Sequence, residues 1–294
     1  LSLSRDEIAE TYKDSLTGRR IWISGHMLGN LFRDAYFDLY KKTKEQLEIK
    51  KDIIKTDELL PKGIIRQDVM YDRWIRPSFH LNWLRQGKPI EGITQALERT
   101  SLLATYEHLR RVANYMKGQA KKLRGPHVLH GSHYGMFCPC NTPKGGDIGL
   151  RKHLALSVKI SNPLLREEYE KIDQILKDKI ILSTSKEYAH IFHNGRFINY
   201  TLDPKKYVKL LREYRRTQKN WVDISISYKS ESKIINILSD AGRLLRPLLV
   251  VPKSITKLEK NIFQDYNSIE YLLKNNIIEY VDASETNDLL IAES

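Results

Sequence analysis

The chain has 294 residues, of which 41% are hydrophobic and 29% charged, so it can bury a core in one large domain or two ordinary ones. No apolar run approaches the roughly 20 residues that a helical membrane span needs. Lys and Arg outnumber Asp and Glu by 49 to 36, and the net charge of +13 favours a polyanionic partner, most often nucleic acid. A solvated surface on a lysine-rich protein is the alternative. The chain begins without Met or a signal-peptide pattern, which predicts an internal piece of a longer protein.

The basic charge is concentrated in residues 101–153. Only Glu107 and Asp147 oppose the positive side chains there, so about half of the net charge lies in this segment. A local cluster of this kind is a stronger indication of nucleic-acid binding than a diffuse excess. Its nine members are Arg110, Arg111, Lys117, Lys121, Lys122, Arg124, Lys144, Arg151 and Lys152.

The first elements of the chain alternate between helical and irregular patterns. Residues 26–47 carry apolar side chains at helical spacing and predict an amphipathic helix. Prolines break the next segment, 52–92, where Trp74, Phe79 and Trp83 are expected to anchor the chain to a core. A helix is predicted over 94–117, followed by a glycine-bounded basic loop up to residue 124.

The second half of the chain has more regular patterns. Helices are predicted over 164–178 and over 204–218, the latter started by Pro204. Between them, "HIFHNGRFINY" contains an Asn-Gly pair between apolar residues, which is typical of a β-hairpin. "WVDISISY" alternates as a half-buried strand does. From Lys233 onward we predict strand, turn, strand, helix and strand, then an acidic tail, so the fold class is α+β with a boundary near residue 160.

Residues 129–152, "LHGSHYGMFCPCNTPKGGDIGLRK", contain the most distinctive local chemistry. Prolines and glycines predict a compact, turned loop with exposed backbone N–H groups, and positive side chains surround it. Such a loop suits contact with the backbone of a nucleic acid or with a nucleotide. A rigid loop that only packs against its neighbours is the alternative.

The residues of this loop fit three other kinds of site less well, namely a zinc site, a phosphate cradle and a cysteine nucleophile. Zinc binding would need His130, His133, Cys138 and Cys140 to converge, but Pro139 tends to point the two thiols apart. A phosphate cradle lacks the Ser or Thr that should follow a Gly-Lys pair, and a cysteine nucleophile has no distinguishing local pattern. Cysteines one residue apart rarely form a disulfide, which favours a reducing compartment.

Five motifs in order resemble the second-largest, β-type subunit of multisubunit RNA polymerases, in its eukaryotic, archaeal or large-virus form. The central one joins "ATYEHLRRV" to "LHGSHYGMFCPCNTPKGGDIGLRKHLAL" and is similar to the fork region of that family. The others are "GRRIWISGHMLGNLFRDAY", "IFHNGRFI", "SDAGRLLRPLLVV" and "IIEYVDASETNDLLIA". Together they cover nearly the whole chain.

The resemblance implies a mixed, multi-part α+β segment of a polymerase subunit. Its parts would be the end of the lobe and start of the fork (1–95), the fork with its basic loop (96–160) and a smaller external 2-like α+β domain (161–294). The implied activity is DNA-directed RNA synthesis, a nucleotidyltransferase reaction of transcription, with this chain lining the downstream side of the active-centre cleft. The implied partners are the largest subunit, other polymerase subunits, DNA template, nascent RNA and nucleoside triphosphates, with no membrane.

The same resemblance implies how the chemistry is divided between subunits. Mg²⁺ would be held by the largest subunit, so no catalytic residue and no metal ligand is expected in this chain. The location would be the nucleus or cytoplasm, or the virion if the protein is viral. Nucleic-acid contacts are expected at Arg110, Arg111, Lys117, Lys121, Lys122 and Arg124.

Two departures from the family pattern lie in the loop. Where the family reads E-T-P-E-G, this chain has Asn141 and Lys144, and the second position lies near the incoming nucleotide in the family. Lys144 and Asn141 are therefore the expected nucleotide-proximal residues, and a lysine beside a triphosphate would strengthen phosphate contact. A divergent enzyme with an altered rate, or a copy without catalytic demand, is the alternative.

Two other classes of function stay open at this level. One is a non-catalytic nucleic-acid-binding module, and the other is a degenerate or split subunit that acts only in assembly. A separate expectation concerns Asp240, Arg243 and Arg246, which are interpreted as ion-pairing residues that hold the C-terminal region together.

Overall fold

The computed structural model describes residues 13–49, 70–90, 92–114, 116, 118, 122–178, 188–218, 221–251 and 269–291. Within these ranges no helix is long and apolar enough to cross a membrane. The chain divides into two compact units. One comprises residues 22–110, and the other comprises residues 1–21 together with 111–294.

The unit of residues 22–110 is built around helix α1 (Ser24–Ile49). A single π-helical turn (Tyr71–Ile75), a short helix α2 (Arg76–Phe79) and a hairpin of β1 (Trp83–Arg85) with β2 (Lys88–Ile90) accompany it. Its small core consists of Leu31, Ala35, Trp74 and Trp83. The indole N–H of Trp74 donates to Asp38 Oδ2 at 2.9 Å, which satisfies the one polar atom that this buried ring carries.

Two details of this unit differ from the sequence expectation. Trp74 and Trp83 are buried as predicted, whereas Phe79 is 56% exposed and contacts Trp83 in a T-shaped arrangement, at a centroid distance of 6.3 Å. Helix α1 also buries a narrower stripe than its apolar pattern indicated. Phe32 and Tyr36 stack on each other on its exposed side, because the small elements beside it cover only the face of Leu31 and Ala35.

The helix predicted over 94–117 was wrong in extent. Helix α3 covers only Leu102–Leu109, since Ser101 caps its first turn by accepting a hydrogen bond from Ala104 N at 3.1 Å. The chain then enters strand β3 (Arg111–Ala113), which pairs with β4 (Arg151–His153). Pairing with a strand forty residues away therefore overrides the helical pattern after Arg110.

The larger unit contains the regular secondary structure of the second half. The strands and helices after β4 are β5 (Lys159–Ile160), α4 (Arg166–Asp178), β6 (Ala189–His193), β7 (Arg196–Thr201), α5 (Pro204–Thr217), β8 (Ser225–Lys229), β9 (Ile234–Leu238), β10 (Leu244–Leu249), α6 (Ile269–Lys274), β11 (Ile278–Asp282) and α7 (Ala283–Thr286). They form a four-stranded sheet of order β7-β6-β9-β8 and a three-stranded sheet of order β11-β10-β5.

The hairpin predicted at the Asn-Gly pair is confirmed. Asn194 and Gly195 both have positive φ, 49° and 80°, as the type I′ turn between β6 and β7 requires. Helix α5 begins as predicted at Pro204, and the Asp203 side chain caps it by accepting from Lys206 N at 3.1 Å. The main core forms where α4 and α5 pack on one face of the four-stranded sheet, and its members include Leu176, Ile191, Tyr207, Leu211, Ile235 and Ile237.

The end of the chain is more buried than expected, although the predicted α+β class is confirmed. Ser225 and Ser227 in β8 are both buried, so this strand is covered on both faces instead of one. The Ser225 hydroxyl donates to Asp282 Oδ1 at 2.7 Å. The supposed acidic tail therefore includes α7, whose Glu285 is fully buried, because its carboxylate is paired with arginines of α5.

Candidate nucleic-acid interface

Backbone pairing closes the central loop at its base. In the β3–β4 ladder, Arg111 faces His153 and Val112 faces Lys152. Beyond the ladder, Cys138 N donates to His153 O at 2.9 Å, and Ala155 N donates to Met136 O, also at 2.9 Å. The segment between Met136 and β4 is thus a loop whose two ends are hydrogen-bonded to each other.

The Thr142 side chain determines the shape of this loop. Its hydroxyl donates to Arg151 O at 3.0 Å and accepts from Gly149 N at 2.8 Å. These two hydrogen bonds hold residues 142 and 149 close together at the base of the loop, an arrangement that we call the Thr142 pinch. At the tip of the loop, Lys144, Gly145, Gly146 and Ile148 are all exposed.

A close approach at Gly149 fastens the loop to the preceding segment. Gly149 has φ +71°, and a Cβ added there would lie 2.0 Å from the carbonyl oxygen of His127. The His127 imidazole donates from Nδ1 to Ile148 O at 2.6 Å. Only glycine fits this position, because both the backbone conformation and the space exclude a side chain.

The positive side chains of the segment are not equally available to a ligand. Lys152 Nζ donates to Pro126 O at 3.0 Å and to Gly149 O, and burial together with nearby Arg19 lowers the pKa of this lysine. Arg151 pairs with Asp147 at 3.2 Å. Lys144, in contrast, is exposed and has no ion-pair partner within the described ranges.

The predicted nucleic-acid residues lie in different parts of the structure. Arg110 ends α3 in the unit of residues 22–110, with its guanidinium 5.8 Å from the centroid of the Tyr106 ring. Lys122 and Arg124 are exposed, and Arg124 directly precedes the 3₁₀ turn Gly125–His127 that contacts Gly149. Lys117 and Lys121 lie outside the described residues.

Arg111 and Asn141 are brought together by His153. The Nε of Arg111 donates to His153 Nε2 at 3.5 Å, and His153 Nδ1 donates to the backbone oxygen of Asn141 at 3.1 Å. His153 therefore joins the start of β3 to the start of the loop that carries Lys144. No local sequence pattern indicated this role of His153.

The disfavoured chemistries gain no support from the geometry. Cys138 and Cys140 are free thiols, the first partly buried and the second exposed. Among the described residues, no three His, Cys, Asp or Glu side chains are grouped so that they could hold a metal ion. His130 and His133 instead cap the 3₁₀ turn Gly131–His133, each accepting a backbone N–H at 3.2 Å.

The buried His133 predicts a pH-dependent stability. Burial, followed by the charge of Lys152, lowers the pKa of His133 to about 4 from its ordinary 6.5. Between these values the unfolded state binds more protons, so the free energy of unfolding falls as the pH is lowered through that window. We expect His133 to account for a loss of about 2 kcal/mol between pH 7 and pH 5.

Urea unfolding of the wild type and of His133→Gln at both pH values measures this contribution. The wild type should lose about 2 kcal/mol more than the variant does. His190→Gln, which changes an exposed histidine of the same unit, should keep the wild-type dependence. Equal pH dependence of the wild type and His133→Gln would contradict the assignment.

The ion-pair interpretation of the C-terminal trio was right for two members. Arg243 contacts Asp240 at 3.1 Å and Asp282 at 3.3 Å. Arg246 has no carboxylate partner in the described part of the chain. Its guanidinium lies 5.4 Å from the Tyr134 ring centroid, and a Cβ on Gly135 would lie 2.8 Å from its Nη1. The sequence around Tyr134 and Gly135 gave no indication of this contact, because Arg246 lies over a hundred residues further along the chain.

Comparison with known proteins gives two family matches, in chain order. Residues 95–160 match RNA polymerase Rpb2, domain 3, and residues 191–252 match RNA polymerase Rpb2, domain 4. The first match contains the loop, and the second contains β7, α5, β8, β9 and β10.

Full-length relatives agree with these matches. The chain is 29% identical, over 95% of its length, to DNA-directed RNA polymerase subunit Rpo2 of Sulfolobus acidocaldarius, and covers 26% of that protein. Identity to DNA-directed RNA polymerase II subunit RPB2 of Encephalitozoon cuniculi is 31%, and to DNA-directed RNA polymerase III subunit RPC2 of Schizosaccharomyces pombe 27%, in each case over 95% of the chain and 25% of the relative. The chain thus spans about a quarter of the length of these relatives. It belongs to the family of second-largest, β-type subunits of multisubunit RNA polymerases.

Proposed function

We propose that this chain works as part of a DNA-directed RNA polymerase and lines the downstream side of the active-centre cleft. The observation that carries the proposal is the match to domains 3 and 4 of the subunit in their order along the chain. The partners would be the largest subunit, the other subunits, DNA template, nascent RNA and nucleoside triphosphates, in a nuclear or cytoplasmic enzyme. The division of the chain at residues 95 and 160 stays a prediction.

In this proposal the chain contributes positioning and positive charge. Phosphoryl transfer depends mainly on alignment and charge stabilisation, so a subunit without metal ligands affects the rate. Mg²⁺, held by the largest subunit, would supply the electrostatic stabilisation of the transferred phosphoryl group. The nucleic-acid backbone would be contacted by Arg110, Arg111, Lys117, Lys121, Lys122 and Arg124.

The exposed loop tip is the proposed nucleotide-proximal element, with Asn141 at its base and Lys144 at its tip. The Thr142 hydrogen bonds and the Gly149 contact hold the base of the loop, which reduces the backbone entropy that the tip loses when it binds a phosphate. Gly145 and Gly146 beside it carry no side chain that would keep a phosphate away. Attraction to a triphosphate follows from the sign of the charge.

Association is the first test. Tagged at a terminus and purified from its source under mild salt, the protein should co-purify with a relative of the largest polymerase subunit. The bound material should incorporate nucleotides on a DNA template when Mg²⁺ is added. Recovery of the chain alone as a monomer would contradict the proposal and would favour the binding-module or assembly-only alternatives.

Lys144→Glu in that assembled enzyme tests the assignment of the loop tip. Reversing the charge beside a triphosphate should change the nucleotide addition rate or the nucleotide KM by about tenfold, since a difference of about 1.4 kcal/mol corresponds to that factor. DNA affinity should stay within about twofold. Lys177→Glu, at an exposed lysine of α4, is the matched control and should change neither. A change in salt-dependent DNA affinity without a change in elongation would contradict the assignment.

A further inference from the structure

The four-stranded sheet has one face in the core and another face that carries aromatic rings. Ala189 and Ile191 of β6 point into the core, so His190 and Phe192 point to the opposite face. On the neighbouring strand β7, Tyr200 lies across from His190 and Phe197 lies across from Phe192. We call this set, with Tyr188 just before β6, the aromatic platform: Tyr188, His190, Phe192, Phe197 and Tyr200.

A β-bulge places both β7 rings on this face. Phe197 and Tyr200 are three residues apart, and in a regular strand an odd spacing would put them on opposite faces. The pairing register shifts between Ile191 and Phe192, which adds one residue to β7 and turns Ile198 toward the core. The bulge therefore re-aims a side chain onto the open face, as bulges near functional surfaces do.

Four rings of the platform form a contiguous strip, and Tyr200 lies across from His190 on the neighbouring strand. Ring centroids lie 5.7 Å apart for Tyr188 and His190, 5.8 Å for His190 and Phe197, and 5.8 Å for Phe192 and Phe197. Tyr188, Phe197 and Tyr200 remain 47%, 52% and 51% exposed. From Tyr188 to Phe192 the strip covers four residue steps, roughly 13 Å, which is enough for two or three bases.

Positive charge accompanies the rings. The ammonium of Lys233 lies 4.9 Å from the Tyr188 ring centroid, which shows that the platform accepts a cation at its edge. Over the strands and turns of residues 188–201 and 225–239 the cations are Arg196, Lys229 and Lys233, and the acid is Glu231. Arg196 pairs with Asp173 of α4 at 3.5 Å, so Lys229 and Lys233 are the cations that can serve the platform. A negatively charged polymer is therefore favoured as the ligand of this face over a neutral or a basic one.

We propose that the aromatic platform binds single-stranded nucleic acid, with unpaired bases stacked on its rings and phosphates near its lysines. Half-exposed aromatic rings on an open sheet face, bordered by cations, are the combination that stacks bases without sequence preference. A duplex is disfavoured because its bases are already stacked and their faces are covered. The proposal does not depend on the polymerase function, since it rests on this sheet alone.

The test measures fluorescence anisotropy of fluorescein-labelled 12-nucleotide oligo(U) and oligo(dT) with the whole 294-residue chain. Phe197→Leu and Tyr200→Leu keep an apolar side chain but remove the ring, and each should weaken single-strand binding about tenfold. Tyr200→Phe keeps the ring and should stay within about twofold. Binding of a 12-base-pair duplex should not change in any of these variants.

Two controls separate stacking from general charge. Tyr271→Leu, at an exposed ring of α6 in the same unit, should leave single-strand affinity unchanged. Lys233→Gln should reduce the slope of log affinity against log salt by about 0.7, whereas the leucine variants should leave that slope unchanged. Circular dichroism of each variant checks that the sheet is intact.

A measurement on the wild type covers the case in which a variant does not fold. A 5-iodouridine-containing oligo(U) is photo-crosslinked to the unaltered chain, and peptides from residues 188–200 should carry the label. Crosslinks confined to other segments would overturn the proposal. Unchanged single-strand affinity in both leucine variants would also overturn it. If those variants instead fail to retain a polypeptide that co-purifies with the wild type, the platform is a protein-docking face and the proposal is likewise overturned.

Discussion

Replacement of Arg215 by methionine is expected to lower the free energy of unfolding by about 3–5 kcal/mol, because it leaves buried carboxylates without their main partner. The Arg215 guanidinium donates to Glu285 Oε2 at 2.6 Å and Oε1 at 3.1 Å, and to Glu279 Oε2 at 2.9 Å. Its side chain is 2% exposed, and that of Glu285 is 0% exposed. Urea unfolding followed by circular dichroism measures the loss.

The charge states of this cluster follow from its contacts. Burial opposes the charge of Arg215, but the carboxylates of Glu285 and Glu279 outweigh it and raise the pKa of the guanidinium. Burial likewise opposes ionisation of Glu279, but hydrogen bonds from Arg216 and the charge of Arg215 lower its pKa. Burial raises the pKa of Glu285, and the charge and hydrogen bonds of Arg215 oppose that rise more strongly than Arg212 does. Removing Arg215 therefore takes away the main group that favours the ionised form of this buried carboxylate and leaves it only Arg212.

Two comparisons make this prediction specific. Arg166→Met removes the exposed pair with Glu170 on α4, at 2.9 Å, and should cost no more than about 0.5 kcal/mol. The double variant Arg215→Met with Glu285→Leu should recover much of the loss, since apolar residues replace a buried pair at little cost. A loss below about 1 kcal/mol for Arg215→Met alone would contradict the assignment of a desolvated pair.

Gly149→Ala should destabilise the larger unit by about 2–4 kcal/mol and loosen the loop that carries Lys144. The new Cβ would lie 2.0 Å from His127 O, so one of two backbone segments has to move. That movement would break the Thr142–Gly149 hydrogen bond of 2.8 Å and open the pinch at the base of the loop. Thermal unfolding measures the first effect, and trypsin cleavage after Lys144 measures the second.

The loop supplies its own control series of glycines. Gly145 has φ +84° but open space around it, so alanine there should cost only the backbone strain, about 1 kcal/mol. Gly146 has neither a positive φ nor a close neighbour, so alanine there should be nearly neutral. The predicted order of loss is Gly149, Gly145, Gly146. Equal losses at all three would show that the His127 contact does not limit the loop.

Local sequence signals predicted those elements whose cause is local. The hairpin at Asn194 and Gly195 forms where a two-residue turn needs positive φ twice, and few residue pairs other than Asn-Gly supply it. Helix α5 starts at Pro204 because proline fits the first helical turn, and Asp203 caps it. The succession of strand, strand, helix and strand along residues 233–251 and 269–282 was also predicted, from short apolar runs separated by turn residues.

Errors occurred where distant pairing outweighed the local pattern. Helix α3 stops at Leu109 because Arg111 pairs with His153. The residues around Arg111 give no indication of this distant partner. The end of the chain was predicted only as an acidic tail, whereas its Glu285 pairs with Arg215 seventy residues earlier in the chain. A charge pattern by itself does not reveal whether its counter-charges lie in water or in a core.

The candidate interface was predicted in outline and not in its contacts. Prolines and glycines correctly indicated a compact loop with a basic tip, since their allowed φ angles require turns. Lys152 and Arg151 belong to the basic cluster of the sequence, but carbonyl oxygens hold the first and Asp147 pairs with the second. The availability of a lysine depends on what folds around it.

The sequence by itself determined the α+β class, the Asn-Gly hairpin, the turned loop and the family, because each depends on residue types at short spacing or on motif order. Only the tertiary structure decided which cations are available, which acids are buried and that Phe197 and Tyr200 share one face. Those properties depend on register and on pairs of residues far apart in the chain. A one-residue bulge or a distant partner changes them without changing any local pattern.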